Sequence, residues 1–205
     1  FTSPHPRDMS TDVIEAISKH KCLAKQIHLP LQSGDDKVLI RMNRKHKLED
    51  YRVIVNYIRE KIPEATLFTD IIVGFTGETD EQFDNSRKAM NEFKFNMAYI
   101  AIYSPRPGAA SSRWEDDIPQ QRKKDRLHKL TDDLQVHSAD YNKTLQDKTI
   151  RVLLNGMEKR SGYLSGHTEG RIPVRIYSYD KALVGSYADV KIVSCGDFSV
   201  AGEIV

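Results

Sequence analysis

The chain has 205 residues, which is enough for one or two domains with a substantial hydrophobic core. Its formal net charge of +2 argues against a strong general attraction to nucleic acid or membrane, and no apolar run approaches membrane-spanning length. The two cysteines, Cys22 and Cys195, lie far apart in no Cys-x-x-Cys pattern, so the composition indicates a reduced, cytoplasmic protein without a metal site built from them.

The first half of the chain alternates predicted strands with predicted helices, because short β-rich runs are separated by apolar residues at helical spacing. In chain order we predict a strand end at 1–6, a helix capped by Ser10 or Thr11, a strand at 26–31, helices from 35 and over 48–62, a strand at 67–73, a helix at 80–93 and a strand at 97–103. Each polar loop follows a strand, so we predict an α/β domain whose parallel strands are joined by right-handed crossovers.

The stretch from Thr69 to Thr79 is the centre of this pattern. The apolar strand ends at Gly74, and Gly77 completes a Gly-x-x-Gly turn in which the backbone can come close to a ligand. A capping box of Thr79 and Gln82 then starts the next helix. In parallel α/β folds ligands bind at the carboxyl ends of strands, although a tight turn without a ligand has the same pattern.

The character of the sequence changes near residue 145. Pro119 starts a long predicted helix that reaches about Leu145, and we interpret the leucines along one face of it as core packing. Short strands are predicted at 149–154, 162–164, 172–177, 187–193 and 200–205, separated by turn residues such as Asn155-Gly156. We therefore predict two domains: 1–145, with the α/β sheet and the long connecting helix, and 146–205, a small antiparallel β-barrel.

Four strand-to-helix junctions carry unusual polar or glycine-containing segments. These are residues 2–6, 28–34, 69–79 and 103–108. The topology of a parallel sheet directs all four to the same edge, which predicts a pocket there. We interpret His5 and His28, which lie in these segments, as structural rather than ligating.

Taken together, these segments resemble the second half of a methylthiotransferase of the radical S-adenosylmethionine (SAM) superfamily. The resemblance rests on Met42-Asn43-Arg44, the run from Asp70 to Glu78 and the Tyr-Ser-Pro-Arg-Pro-Gly segment at 103–108. Residues 1–6 and 28–34 resemble the MiaB-type tRNA enzymes within that family. The members that modify a ribosomal protein or threonylcarbamoyladenosine remain alternatives, as does a module that only binds RNA.

The resemblance implies half of a radical SAM TIM-type barrel, followed at residues 146–205 by a TRAM domain. It implies an enzyme that adds a methylthio group to carbon 2 of N6-isopentenyladenosine next to the tRNA anticodon, with S-adenosylmethionine and two [4Fe-4S] clusters as cofactors. The cluster cysteines of the family would precede Phe1, and the chain does not begin with methionine. We therefore expect part of a longer protein that, as given, binds no cluster and performs no radical chemistry.

The candidate cofactor contacts are polar residues that follow the first complete strand, follow the next helix or lie within the second strand. Gln32 and Ser33 are placed to hydrogen-bond the ribose or methionine part, although Ser33 also fits as a helix cap. Arg44 is suited to a bidentate contact with the cofactor carboxylate, or else is a solvated cation at a helix end. Asp70 lies in a buried strand and therefore needs a partner, either Arg44, the cofactor or another structural cation.

The central turn and the last strand complete the cleft candidates. Val73 and Gly74 allow the adenine of the cofactor to lie against the backbone. The alternative is a tight turn that contacts no ligand. Tyr103 is a candidate contact to cofactor or substrate. Arg106 stands between two prolines as a rigidly presented cation for the substrate side, although both prolines also simply end the strand.

The candidate RNA contacts lie in the predicted barrel, where cations neutralise phosphate and aromatic rings stack on bases. They are Lys159, Arg160, Tyr163, Arg171, Arg175 and Tyr177, with a tRNA anticodon stem-loop as the expected partner. Eight cations and seven anions give residues 146–205 a charge of only +1, so a solvated mixed surface is the alternative. A half barrel also leaves an open strand edge, so we expect a dimer, a swapped dimer or a higher oligomer, which light scattering tests.

Overall fold

In the computed structural model of the chain, which describes residues 3–205, three parallel strands carry helices on one face. The strands are β1 (Gln26–His28), β2 (Thr66–Val73) and β3 (Met97–Ile102), in the spatial order β1-β2-β3. The helices are α1 (Thr11–Lys19), α2 (Asp36–Arg41), α3 (Leu48–Lys61), α4 (Asp80–Phe93) and α5 (Gln120–Lys143). The parallel α/β prediction is confirmed for these three strands.

The two faces of this sheet differ, because successive residues of a strand point to opposite sides. Along β2, Leu67 and Ile71 pack into the main core with the helices, whereas Asp70 and Ile72 lie on the other face and are half-buried. On that face Tyr99 of β3 pairs with Asp70 and keeps 58% of its surface exposed. The open face therefore carries Asp70, the one charged residue of β2. The expected self-association through this half barrel stays a prediction.

Local sequence signals set most helix boundaries. Asp35 accepts hydrogen bonds from the amides of Lys37 (3.0 Å) and Val38 (3.1 Å) at the start of α2. Thr79 and Gln82 form the predicted reciprocal capping box of α4. The strand end predicted at 1–6 is not a strand where described: Pro6–Asp8 is a 3-10 helix, and Phe1 and Thr2 lie outside the described residues.

The last sixty residues form a closed five-stranded barrel. Its strands are β4 (Thr149–Met157), β5 (Leu164–Thr168), β6 (Pro173–Ile176), β7 (Tyr187–Cys195) and β8 (Val200–Ile204), in the order β4-β5-β6-β8-β7. The purely antiparallel prediction is wrong in one pair, since β6 and β8 run parallel. The predicted turn at Asn155-Gly156 is also wrong, because these residues continue β4 through a β-bulge that bends the strand around the barrel.

The barrel packs against the amino ends of β2 and β3. Phe68 belongs to the barrel's apolar core, and the hydroxyl of Thr66 donates a 2.7 Å hydrogen bond to the carbonyl of Gly170. From α5, the amide of Asn142 donates to the carbonyls of Gly196 (2.9 Å) and Asp197 (3.0 Å). These contacts fix the barrel to the α/β unit at the end of the sheet opposite the carboxyl ends of its strands. Within the described residues, no helix is long and apolar enough to cross a membrane.

Candidate functional site

A cleft of about 700 Å³ lies at the carboxyl ends of the three parallel strands. Segments that follow β1, α2, β2 and β3 all contribute to its walls. Among the residues predicted from sequence, the cleft is lined by Gln32, Arg44, Asp70, Tyr103 and Arg106. The structure therefore brings together five candidates from distant parts of the chain, and their roles in binding stay predictions.

Gln32 has a strained backbone at the floor of the cleft. Its φ of 73° lies in the left-handed region, which costs a residue with a side chain about 1–2 kcal/mol. The strain is held by two backbone hydrogen bonds to β2, from the Gln32 amide to Asp70 (2.8 Å) and from Ile72 to the Gln32 carbonyl (3.0 Å). The side-chain amide has no hydrogen bond to any described residue, so it is free to meet a ligand.

Arg44 is a half-buried cation that no described carboxylate approaches within ion-pair distance. Burial lowers the pKa of the Arg44 guanidinium, while the negative charge of Asp70 acts in the opposite direction. A half-buried guanidinium without an ion-pair partner is stabilised by an anionic ligand, because a carboxylate supplies the bidentate hydrogen bonds that the protein does not make.

Asp70 is paired, but its partner is His28 and not Arg44. The Oδ1 atom of Asp70 lies 3.0 Å from Nε2 of His28, whose Nδ1 lies 2.8 Å from the hydroxyl of Ser3. The Tyr99 ring packs 5.5 Å from the same imidazole. His28 thus orients the carboxylate at the cleft, and its structural rather than ligating role stays a prediction. The register between β1 and β2 makes this contact, and nothing in the sequence spacing points to it.

Three predicted cofactor contacts lie away from the cleft. The hydroxyl of Ser33 is fully buried, where it accepts from the Asp35 amide (3.2 Å) and meets the Ser86 hydroxyl at 3.4 Å. It does not cap α2, because Asp35 is the cap of that helix. Val73 is buried in the main core. Gly74 faces the side chain of Lys123, not open space.

The turn after β2 is covered by α5 through a buried ionic network. The amide of Gly74 donates to Oε2 of Glu78 (2.7 Å), and Nη1 of Arg126 donates to the same oxygen at 2.8 Å. Lys123, fully buried beside Gly74, reaches Asp116 at 2.7 Å. Sequence reasoning missed this network, because cations on a long helix give no sign that they turn inward.

We expect Gly74→Ala to lower the free energy of unfolding by about 2 kcal/mol, from positive-φ strain and overlap with Lys123. A Cβ atom at Gly74 would stand 2.5 Å from Cγ of Lys123, at a φ of 70°. Urea denaturation followed by circular dichroism measures the change. Gly108→Ala is the matched control, because its φ is 88° but no atom lies within 4 Å of the added carbon. Equal losses in the two variants would contradict the packing role of Gly74.

Tyr103 forms a fixed wall of the cleft. Its hydroxyl donates to the carbonyl of Ser111 (3.1 Å), and its ring meets Phe75 edge-to-face at 4.8 Å. The Nζ atom of Lys123 lies 5.5 Å from the same ring. Tyr103 therefore joins the last loop to the turn after β2, while Arg106, exposed in that loop, stays at the rim.

The predicted RNA-binding residues of the barrel are spread along it, and most of them lie near one end. Tyr163 and Tyr177 pack edge-to-face at 5.4 Å, and Tyr179, which the sequence analysis did not single out, stacks on Tyr163 at 4.8 Å. Exposed Lys159 and Arg160 belong to the loop before Tyr163.

Arg171 lies instead in the turn that joins β5 to β6, beside the contact between Gly170 and the sheet. The length of β5 places this turn roughly 14 Å from Tyr163. Arg175 lies between these ends, with Nε of its guanidinium donating to both carboxylate oxygens of Glu158 (2.8 and 3.0 Å). The six candidates therefore do not form one compact cluster.

Among residues 3–205 no group of three or more histidine, cysteine or acidic side chains is arranged to hold a metal ion. Cys22 is exposed, and the Cys195 thiol donates to the Asn142 carbonyl in the barrel interface. Neither cysteine lines the cleft. The described residues therefore do not fit an iron–sulfur cluster, whereas the cleft's charged and amide groups fit a small zwitterionic ligand.

Comparisons with known proteins find similarity to radical SAM sequences. The model of the radical SAM superfamily matches residues 1–90. The whole chain is 39% identical to the tRNA-2-methylthio-N(6)-dimethylallyladenosine synthase of Oceanobacillus iheyensis, covering 40% of that protein. The synthases of Geobacillus kaustophilus and Thermus thermophilus are each 38% identical over the whole chain, which covers 39% and 44% of them.

The chain thus spans about two fifths of the length of the curated relatives it matches. Among solved structures, the radical SAM enzyme coproporphyrinogen III oxidase (HemN) of Escherichia coli is similar with a TM-score of 0.55 and 16% identity. The match covers 92% of this chain and 45% of that one. At this identity the likeness supports the fold alone.

Proposed function

We propose that this chain is a radical SAM methylthiotransferase sequence of the MiaB type. On this premise, it forms the cofactor wall and the RNA-binding barrel of a tRNA-modifying enzyme. The reaction is the transfer of a methylthio group to carbon 2 of N6-dimethylallyladenosine next to the anticodon. The observation that carries the proposal is the similarity of the entire chain to synthases named for this product. The placement of the cleft residues supports it.

The cleft offers what the methionine part of S-adenosylmethionine requires. Arg44 holds the carboxylate, Asp70, oriented by His28, takes the ammonium group, and the free amide of Gln32 hydrogen-bonds the remaining polar atoms. When bound, S-adenosylmethionine supplies the radical chemistry of the family. The described residues do not fit the [4Fe-4S] clusters, so we assign those to other residues of the full-length enzyme and route no step through them.

We further propose that the barrel is a TRAM domain that holds the tRNA. The boundary falls between the end of α5 at Lys143 and the start of β4 at Thr149. The aromatic cluster of Tyr163, Tyr177 and Tyr179 supplies rings on which bases can stack. The cleft and the barrel lie at opposite ends of β2, roughly 23 Å apart, so one RNA must extend across the open face to reach both.

We expect this chain to bind an anticodon stem-loop with an affinity that falls as salt rises, since phosphate contacts release counterions. Replacing Lys159 and Arg160 together with Gln removes two exposed cations and is expected to lower the slope of log K against log[salt] by about 1.4–1.8. Fluorescence anisotropy with a labelled stem-loop over a salt series measures both quantities.

Replacing Lys181 and Lys191 with Gln is the matched control, since both are exposed cations of the barrel outside the loop of Lys159. This control is expected to keep most of the affinity. Absence of stem-loop binding even at low salt would contradict the RNA-holding role and favour the branch of the family that modifies a ribosomal protein.

A further inference from the structure

The closed barrel has the topology of an OB-fold. Its first strand, β4, pairs with the second and the fourth, and its third strand, β6, runs parallel to the fifth, β8. OB-folds bind single-stranded nucleic acid across their second and third strands, between the loop that joins strands 1 and 2 and the loop that joins strands 4 and 5. Here these elements are β5, β6 and the loops 158–163 and 196–199.

A groove of about 280 Å³ lies on this face of the barrel. Both loops reach it, through Glu158 from the first and through Gly196 and Ser199 from the second. Ser165 of β5 and Pro173 of β6 contribute to its floor. The volume is below that of most sites for whole small-molecule ligands, and it suits part of a larger one.

An aromatic ring stands at one end of the groove. Tyr177 lines it and keeps 42% of its surface exposed. Behind it, Tyr163 is held between Tyr177 and the stacked ring of Tyr179. Tyr179 is 65% exposed but does not line the groove, so Tyr177 is the ring of this cluster that faces it. Packing against Tyr163 holds Tyr177 in place, which suits stacking of a base.

A guanidinium with a free outer edge lies beside this ring. Glu158 binds Nε of Arg175, and the hydroxyl of Ser161 also donates to Glu158. The two terminal nitrogens of Arg175 have no hydrogen bond to any residue between 3 and 205. Glu158 therefore fixes the direction of Arg175 while leaving the edge that matches a phosphate.

The groove also carries unpaired hydroxyl groups. Ser165, Ser194 and Ser199 line it, and within the described chain none of their hydroxyls makes a side-chain hydrogen bond. Such groups can both donate and accept, as contacts to a ribose 2′-hydroxyl or a base edge require. Aromatic, cationic and hydroxyl groups thus meet in a single concave site.

We propose that this groove binds one unstacked nucleotide of single-stranded RNA, with its base against Tyr177 and its phosphate at the outer edge of Arg175. Glu158 is a positioning residue for Arg175. The inference rests on the proposed function, since the RNA is a tRNA loop, and it assigns the contact to the β5–β6 face. It also divides the predicted RNA residues: Arg171, in the turn that docks on the sheet, is not part of this site.

The test measures anisotropy of a labelled single-stranded oligoribonucleotide with the loop sequence, titrated with this chain. Tyr177→Ala is expected to weaken binding about tenfold. Arg175→Gln is expected to weaken it and to lower the salt slope by about 0.7. Glu158→Gln and Glu158→Ala remove the same negative charge, but only Gln keeps an oxygen for Arg175 Nε. Because Glu158 positions Arg175, the Ala variant is expected to bind more weakly than the Gln variant, and equal affinities would contradict the positioning role.

Tyr187→Ala and Arg151→Gln are the matched controls. Their side chains form a second exposed pair, with the Arg151 guanidinium 4.4 Å from the Tyr187 ring, on the β4–β7 side of the barrel. Both are expected to bind like the unchanged chain. Circular dichroism shows that each variant folds.

Binding lost in the Tyr187 and Arg151 variants but kept in the Tyr177 and Arg175 variants would overturn the assignment. So would a stem-loop affinity that none of these variants changes, because the RNA would then bind elsewhere while the proposed function stands. Failure of the unchanged chain to bind any stem-loop or oligonucleotide would overturn the proposed RNA-holding role together with the groove.

Discussion

Replacing Arg126 with Met is expected to lower the free energy of unfolding by about 3–5 kcal/mol, because it leaves the buried carboxylate of Glu78 without its charged partner. The Arg126 and Glu78 side chains are only 4% and 0% exposed, and their atoms Nη1 and Oε2 lie 2.8 Å apart. Urea denaturation followed by circular dichroism measures the loss. The same pair joins α5 to the turn after β2, so its removal also loosens the wall of the cleft.

The free energy of unfolding that Arg126→Met loses should depend on pH in a defined direction. Burial raises the pKa of Glu78, while the Gly74 amide and Arg126 act in the opposite direction. Without Arg126 the folded-state pKa rises further above the unfolded one, so stability is lost as pH rises through the folded pKa. We therefore expect the variant to be less stable, relative to the unchanged chain, at about pH 8 than at about pH 5, where Glu78 takes up a proton more readily.

Two further variants separate this cause from general damage to α5. Arg122→Met breaks an exposed pair with Asp80, one turn from Arg126, and is expected to cost less than about 1 kcal/mol. Adding Glu78→Gln to Arg126→Met removes the unpaired charge but keeps an acceptor for the Gly74 amide, so part of the stability returns. A double variant less stable than Arg126→Met would contradict the explanation.

Replacing Arg44 with Ala is expected to weaken binding of S-adenosylmethionine about 10- to 100-fold, because a hydrogen bond to a charged group contributes about 1.5–3 kcal/mol. Arg44 is half-buried in the cleft wall and has no carboxylate partner among the described residues, so its loss removes a ligand contact rather than a structural one. Ligand-observed NMR titration of this chain with S-adenosylmethionine measures the change. Protein stability is expected to change little.

Arg44→Lys and Arg113→Ala are the controls for this prediction. The lysine keeps the charge but cannot make the bidentate contact, so an intermediate affinity is expected. Arg113 is exposed in the short helix Ala110–Arg113 and does not line the cleft, so its loss should leave binding unchanged. Equal affinity of the Arg44→Ala variant and the unchanged chain would remove Arg44 from the proposed site.

The two experiments address different parts of the cleft. The Arg126–Glu78 pair holds the turn after β2 from behind, whereas Arg44 lines the cleft in which the ligand is proposed to bind. Gly74 shows why both experiments are needed. It ends the strand that the sequence predicts to lie beside a ligand, yet the side chain of Lys123 covers it. A turn with the expected glycine pattern therefore serves helix packing here, and the proposed ligand contacts come from its neighbours.

Local patterns in the amino-acid sequence specify the helices, the strands and the edge of the sheet at which polar residues gather. Hydrophobic periodicity and capping residues such as Asp35 and Thr79 act over a few residues, so they specify α2 and α4 without any tertiary information. Because parallel strands end at one edge, the segments that hold Gln32 and Asp70 are expected to lie together, and both residues line one cleft. Arg44, which follows α2 and not a strand, joins them there only through the fold. The motif resemblance to the family is likewise a property of the sequence.

Contacts between distant side chains depend instead on how the elements pack in three dimensions. Asp70 and His28 stand 42 residues apart in the sequence, so their pairing depends on the register between β1 and β2, and no local pattern encodes it. Burial of Lys123 depends on how α5 lies across the sheet. Closure of the barrel, with β6 parallel to β8, brought Tyr177 and Glu158 to one groove. Such contacts arise from long-range packing, whose energy is spread over the whole core, and therefore appear only once the chain is folded.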